Sequence, residues 1–495
     1  MGKIILSSAS VALVVLLSLG LSGSMPREVG ALTAKPNIVF ILADDMRKDD
    51  LKYMPKTRSA LQDKGMSFEN AFVSHALCCP SRATIMRGQY AHNTHVWSNG
   101  STDSSSTTSG GLQAYKDNGG EQDNVATRLD AAGYRTGLFG KYLNGYDGST
   151  KPTGWDRWFG GVMGGDEYYN YDVNDDGTLR HFGTTSSDYS TDVISRKTNT
   201  FISSSASLGT PFFAYVAPVA PHAPSTPAPR DVNTFDGEKA PRLPSFNERD
   251  VSDKPSWIRQ LPRLTSEQIA AIDGRHEKRV RSLQALDDLV KGVVDTLNNA
   301  GAMDDTYIFF TSDNGFHHGE HRILNGKWRP YEEDVHMPLL VRGPDPLPDE
   351  VPEVRAGSVT YRPVLNTDYM PTFTDLACSS STCDTQNWSY VPDGRSLRPV
   401  LRGNAATWRN AVLLEAPANF SPAYAGIRTV NTGTTTKGKY VEYAGGAREL
   451  YNLESDPYEL TDRYNATSPP VGLASRLAAL KTCAGSGCRA AENGQ

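Results

Sequence analysis

The feature that most constrains this chain is a set of short apolar runs, each closed by charged or amide residues. "NIVFILADD" ends in Asp44 and Asp45, "YRTGLFGKY" leads to Lys141, "TYIFFTSDNG" to Asp313 and Asn314, and "PFFAYVAPVAPH" runs through prolines to His222. Apolar runs of this length, without polar alternation, read as strands covered on both faces, the condition of a parallel sheet. Helical patterns alternate with them. Pro55 to Gly65 and Asn124 to Gly133 carry suitable start and stop residues, and Thr265 to Gly301 sets Val280, Leu283, Leu286, Val290, Val293 and Leu297 on one face. The pattern predicts an α/β fold with a large, mostly parallel central sheet flanked by helices. Ligands of such sheets sit beyond the carboxyl ends of the strands. Three acids, an amide, a lysine and a histidine should therefore converge at one edge.

A second constraint is "SHALCCPSRATIMRGQYAHN", Ser74 to Asn93, which places Cys78 and Cys79 directly before Pro80, Ser81 and Arg82. Pro80 suits the first turn of a helix and Gly88 its end, so the cysteine pair opens a helix whose free N–H groups and dipole favour an anion. The other four of the six cysteines fall into two local pairs, Cys378 with Cys383 and Cys483 with Cys488. That is a disulfide framework, which export permits; a vicinal disulfide or buried thiols stay open for Cys78 and Cys79. Export itself is read from Lys3, the uncharged apolar run Ile4 to Leu21 and the small residues after it, a signal peptide over residues 1–34 with its cleavage site between 24 and 34. An uncleaved signal anchor is the competing reading. The mature chain is expected to be secreted, with no stable membrane insertion. A net charge of −6 without basic runs argues against a nucleic-acid partner.

Taken together, these motifs resemble the sulfatase family of the alkaline-phosphatase-like superfamily. The likeness runs from "PNIVFILADD" to "GARELYNLESDPYEL", and "ALCCPSRA" with "GKYLNGY" is most similar to the N-acetylglucosamine-6-sulfatase and arylsulfatase branch. In that family a cysteine within Cys-x-Pro-Ser-Arg is oxidised to formylglycine by a formylglycine-generating enzyme and works as its aldehyde hydrate. Counted back from Pro80 and Arg82, the resemblance makes Cys78 the modified residue and Cys79 the variable position. It further implies one calcium ion, with magnesium the second choice, on Asp44, Asp45, Asp313 and Asn314 beside Cys78. These are hard oxygen ligands of the kind calcium takes. Arg82 would hold the nucleophilic hydroxyl and the metal carboxylates, Lys141 and Lys327 the sulfate oxygens, and His222 would protonate the leaving oxygen.

The implied activity is hydrolysis of a sulfate monoester, a sugar O-sulfate or an aryl sulfate, by two displacements at the formylglycine. A phosphodiesterase or phosphonate monoesterase using the same residue is the alternative. One position departs from the family pattern: many members carry Gly-Lys-x-His, and "GKYL" puts Leu143 there. His317 is the substitute expected for the second-step base, ahead of His95 and His318.

The chain divides, on this reading, into a catalytic domain over 35–404, a small C-terminal subdomain over 405–480 with an antiparallel sheet and a helix, and a tail over 481–495 with its local disulfide. "DVNDDG" at Asp172 to Gly177 imitates the start of an EF-hand loop, but the twelfth position is Gly183 instead of an acid, so a hairpin turn is expected. Ser98 to Gly111 is expected as an exposed loop and Tyr168 to Ser190 as another, both shaping selectivity.

Overall fold

A computed structural model describes residues 1–2, 35–100, 110–162, 167–345, 352–378, 388–417, 422–431 and 436–494. The apolar runs become neighbours in a ten-stranded sheet. Its strands are β1 (Asn37–Ala43), β2 (Met66–Phe68), β3 (Arg135–Gly140), β4 (Arg157–Gly161), β5 (Tyr171–Asp175), β6 (Thr178–Phe182), β7 (Phe212–Ala217), β8 (Thr306–Ser312), β9 (Leu339–Arg342) and β10 (Ser358–Thr360). The spatial order is β10-β2-β9-β8-β1-β7-β3-β4-β5-β6, and the five central strands β8, β1, β7, β3 and β4 run parallel. Register aligns their ends: Ala43 faces Ser312, and Gly140 faces Ala217. The next residues, Asp44, Asp313 and Lys141, therefore leave the sheet at one level.

Alternate residues of β1 point to opposite faces, and each face has its own core. Ile38, Phe40 and Leu42 pack with helices α1 (Cys78–Arg87) and α2 (Val125–Ala131) and with Phe373 of a third helix, Tyr369–Ala377. Val39 and Ile41 pack with α3 (Ser190–Ser207) and α4 (Ser266–Asn299). The long α4 starts at a capping box, in which Thr265 Oγ1 accepts the Gln268 N–H at 3.3 Å and Gln268 Oε1 accepts the Thr265 N–H at 2.9 Å.

The helix expected over Pro55 to Gly65 forms, as an α-helical turn, Pro55–Thr57, that widens into a π-helix, Arg58–Gln62, and Asp287 of α4 accepts the Lys56 and Thr57 amides. Two local expectations are corrected. Tyr168 to Ser190 is no loop: it holds the β5–β6 hairpin, joined by Asp176 and Gly177 at φ +52° and +89°. Positive φ at both turn residues is what a two-residue hairpin asks, so the EF-hand likeness is indeed a turn. Of Ser98 to Gly111, residues 101–109 lie outside the described residues, and the two ends are buried rather than exposed, with the Gly111 N–H on Ser98 O at 2.8 Å.

The small antiparallel sheet forms from β11 (Ala411–Ala416), β12 (Tyr424–Thr429), β13 (Gly438–Tyr443) and β14 (Arg448–Asn452), paired in sequence order. The helix Val471–Leu480 packs Leu477 and Leu480 on its core. Cys483 and Cys488 are bonded, Cys378 is also in a disulfide, and Cys383 lies outside the described residues. Cys78 and Cys79 are free thiols, which removes the vicinal disulfide. No helix among the described residues is long and apolar enough to cross a membrane; the segment read as a signal peptide lies outside them.

Candidate active site

Helix α1 brings Cys78 to the sheet edge. Leu77 caps it in an extended conformation, Cys78 is the first helical residue, and Gly88 ends the helix at φ +64°. Cys78 Sγ lies 3.5 Å from Asp44 Oδ1 and 3.9 Å from Asp45 Oδ1, and Lys327 Nζ donates to it at 2.7 Å. His222 joins them: one ligand atom each from Asp44, Asp45, Cys78 and His222 lie within 4.8 Å of one another. Its Nε2 is 3.8 Å from Asp45 Oδ2, and its side chain is 27% exposed, so this is the side of the cluster that meets solvent.

Cations bind the carboxylates from three directions. Lys141 Nζ pairs with Asp44 Oδ2, Lys327 Nζ with Asp45 Oδ1, and Arg82 Nε donates to Asp313 Oδ2 at 2.8 Å. Arg82 is fully buried one turn into α1; its Nη1 also donates to the Lys141 carbonyl at 3.0 Å, tying α1 to the end of β3. Burial by itself would push the Asp44 carboxyl up, but Lys141, then His222, Arg82 and Lys327, hold it well below the usual carboxylate range. Asp45 is lowered in the same way, against its burial, chiefly by Lys327. Asp313 goes the other way, raised by burial and by the Asp44 charge. Burial and Asp44 push the Cys78 thiol up.

The donor set fits a hard cation. Asn314 is fully buried; its Nδ2 donates to Asp45 Oδ1 at 2.7 Å, while its Oδ1 has no hydrogen-bond partner. A buried amide oxygen without a donor, on a side chain that touches Asp45, is an acceptor that a hard cation would satisfy. Asp313 is more heavily used than the sequence suggests: Oδ1 accepts the Asp45 N–H at 3.1 Å and Oδ2 accepts Arg82. Each oxygen keeps a second lone pair, so neither bond excludes a cation.

The structure thus brings together Asp44, Asp45, Cys78, Arg82, Lys141, His222, Asp313, Asn314 and Lys327. His317 is held by other partners. Its Nδ1 pairs with Asp334 Oδ1 at 2.7 Å, its amide bonds Gly326 O, its buried Nε2 has no partner, and none of its described contacts reaches Cys78. His318 packs on His276, and His95 is exposed. Leu143 is fully buried in the apolar core, so the position where many family members carry histidine is a packing position here. Sequence reasoning missed Asp334, Tyr168, whose hydroxyl donates to the His222 carbonyl at 2.8 Å, and Arg279, which donates to the Asp45 carbonyl.

The sulfatase family model matches residues 36–379, and the model for the C-terminal region of N-sulphoglucosamine sulphohydrolase matches residues 319–477. The chain belongs to the sulfatase family. It is a sulfuric ester hydrolase by that membership, and the same likeness extends through its length. It is 32% identical to human N-acetylglucosamine-6-sulfatase over 98% of this chain and 91% of that protein. Identity to an arylsulfatase of Volvox carteri is also 32%, over 92% of this sulfatase and 77% of the relative. A solved structure in complex with its substrate D-glucosamine-2-N,6-O-disulfate superposes with a TM-score of 0.73 at 22% identity, covering 93% of this chain and all of that one. At that identity the match speaks for the fold, a large mostly parallel sheet of the alkaline-phosphatase-like kind with a small C-terminal antiparallel sheet.

Proposed function

We propose that this sulfatase removes sulfate from a sulfated carbohydrate, with Cys78 in its formylglycine form and one calcium ion held by Asp44, Asp45, Asp313 and Asn314. The observation that carries the reading is the convergence on Cys78 Sγ, which stands where the formylglycine oxygens would be, of two carboxylates, Lys327 and His222. Likeness to a 6-sulfatase of N-acetylglucosamine supports a sugar ester as substrate. When present, the ion and the formylglycine supply Lewis acidity and a hydroxyl nucleophile.

The chain's own residues do the rest. Lys141 and Lys327 carry charge to the sulfate oxygens, and the positive end of the α1 dipole lies beside them. Arg82, bonded to Asp313 and to the Lys141 carbonyl, keeps α1 and the carboxylates in one arrangement. His222, on the solvent side, gives its proton to the leaving alcohol oxygen. His317 is retained as the candidate second-step base, and its pairing with Asp334 would hold Nε2 as the acceptor. Cys78 is 1% exposed, so the enzyme that oxidises it must act before the fold closes. Residues 1–34 as a signal peptide and the Cys483–Cys488 disulfide both suit an exported protein.

Peptide mass spectrometry of purified protein should find an aldehyde at Cys78 and a thiol at Cys79. Ion chromatography should find inorganic sulfate released from N-acetylglucosamine 6-sulfate faster than product from a phosphonate monoester. An active preparation with an intact Cys78 thiol, or faster turnover of the phosphonate, would overturn the reading.

A further inference from the structure

Adjacent residues of an extended strand point to opposite faces, yet the Asp44 and Asp45 carboxylates both approach Cys78. The reason lies in the backbone of Asp45, which has φ +65°. A left-handed conformation is strained for a non-glycine residue and persists only where neighbours impose it. Here it turns the second carboxylate back toward the first. Two bonds hold it: the Asp45 N–H donates to Asp313 Oδ1 at 3.1 Å, and the Asp45 carbonyl accepts from Arg279 Nη2.

Arg279 reaches the site from α4 and is almost fully buried. Its Nη1 donates at 3.2 Å to the carbonyl of Pro221, the residue before His222. Its guanidinium carbon lies 4.7 Å from the ring centroid of Phe316, two residues past Asn314. Asp50 Oδ2, 3.7 Å away, faces its charge. One planar group therefore bonds or stacks on all three segments that carry the acid pair, the histidine and the Asp313–Asn314 turn, and it touches none of the reacting atoms.

We propose that Arg279 is a positioning residue that keeps Asp45 in its left-handed conformation and sets the spacing between the acid pair and His222. The proposal rests on the functional reading above. Its action is directional: the fork of the guanidinium addresses two carbonyls at once, which a lysine ammonium on a flexible stem does not reproduce.

The test compares calcium binding, by calorimetric titration of chelator-stripped protein, in wild type, Arg279→Lys and Arg279→Gln, with thermal unfolding recorded for each. Outer partners of metal ligands typically contribute about 10- to 100-fold in affinity, and a loss of that size is expected in both variants. At saturating calcium, kcat/KM should also fall further for an alkyl sulfate than for an activated aryl sulfate, because His222 is displaced from the leaving oxygen. Folded variants with unchanged calcium affinity and an unchanged ratio of the two rates, whatever their melting temperature, would overturn the proposal. A wild type that binds calcium but hydrolyses neither ester would sink the functional reading alone, and the calcium affinities would still decide the role of Arg279.

Discussion

Successive residues of a helix point about 100° apart, and this separates the two adjacent cysteines. Cys78 faces the carboxylates, whereas Cys79 is buried in the apolar core with its N–H on Asn99 Oδ1 at 3.0 Å. Burial pushes the Cys79 thiol up to about 12, which disfavours the reactive thiolate. The two histidines with assigned roles divide by substrate. His222→Ala should lose about 100- to 10,000-fold on a sugar sulfate, whose leaving alcohol needs a proton, and far less on a nitrophenyl sulfate, whose leaving oxygen does not. Steady-state rates on both esters measure this, and equal losses would remove His222 as the acid. His317→Ala should instead give an initial burst of phenol and then slow turnover in rapid-quench kinetics. A uniform rate loss without a burst assigns the imidazole, tied to Asp334, to structure alone.

Among elements, α1 is the one on which the site depends, and its two ends are secured differently. The start is held by Arg82 and its ion pairs; the end depends on Gly88, whose left-handed conformation is paired with close neighbours. A Cβ at Gly88 would come within 2.9 Å of Pro371 Cδ and 3.2 Å of the Thr367 carbonyl. Gly88→Ala should therefore destabilise the protein by about 1–2 kcal/mol from the backbone alone, and further through the contact with Pro371. Urea denaturation measures the loss, and an unchanged midpoint would contradict it. Helix α4 shows how an element can conceal a functional residue. Its buried stripe runs through Ile272, His276, Arg279, Leu283, Leu286 and Val290, so the arginine occupies a position that periodicity reserves for apolar side chains. A charge on the core stripe was the available signal, and counting only the apolar members of the pattern passed over it.

At the scale of the whole molecule, the small sheet is clasped to the catalytic core by buried polar groups. Glu449 Oε1 accepts from Tyr331 at 2.9 Å, and Lys439 Nζ donates to the Pro330 carbonyl at 2.7 Å, on the segment that carries Lys327. On the other side His92 Nδ1 pairs with Glu415 Oε2 at 2.9 Å and Nε2 with the Cys483 carbonyl at 2.9 Å. Burial alone would lower the His92 pKa, but Glu415 outweighs it and raises the group from 6.5 to about 9. The folded chain then holds this proton more tightly than the unfolded one. Its stabilisation is fully present below about pH 6.5 and is lost as pH rises through about 9, on the order of 3 kcal/mol at most. Chemical denaturation of wild type and His92→Gln across pH 6 to 9.5 isolates it: the difference between them should shrink toward high pH, and a constant difference would rule the clasp out.

The sequence by itself determined the strands of the central sheet and the helix that carries Cys78. Uninterrupted apolar runs imply strands buried on both faces, a parallel sheet places the residues just past those strands at one edge, and Pro80 with Gly88 marks out the helix that brings in Cys78. Asp44, Asp45, Lys141, His222, Asp313 and Asn314 were legible because chain connectivity alone delivers them to that edge. The tertiary structure decided the features that depend on direction and on distant partners. The left-handed turn at Asp45, the pairing of His317 with Asp334, the burial of Leu143 in the core and the reach of Arg279 from residue 279 to residues 45 and 221 leave no mark in local spacing. Periodicity fixes which face of an element a side chain occupies, but hydrogen bonds between elements far apart in the chain fix where that side chain points.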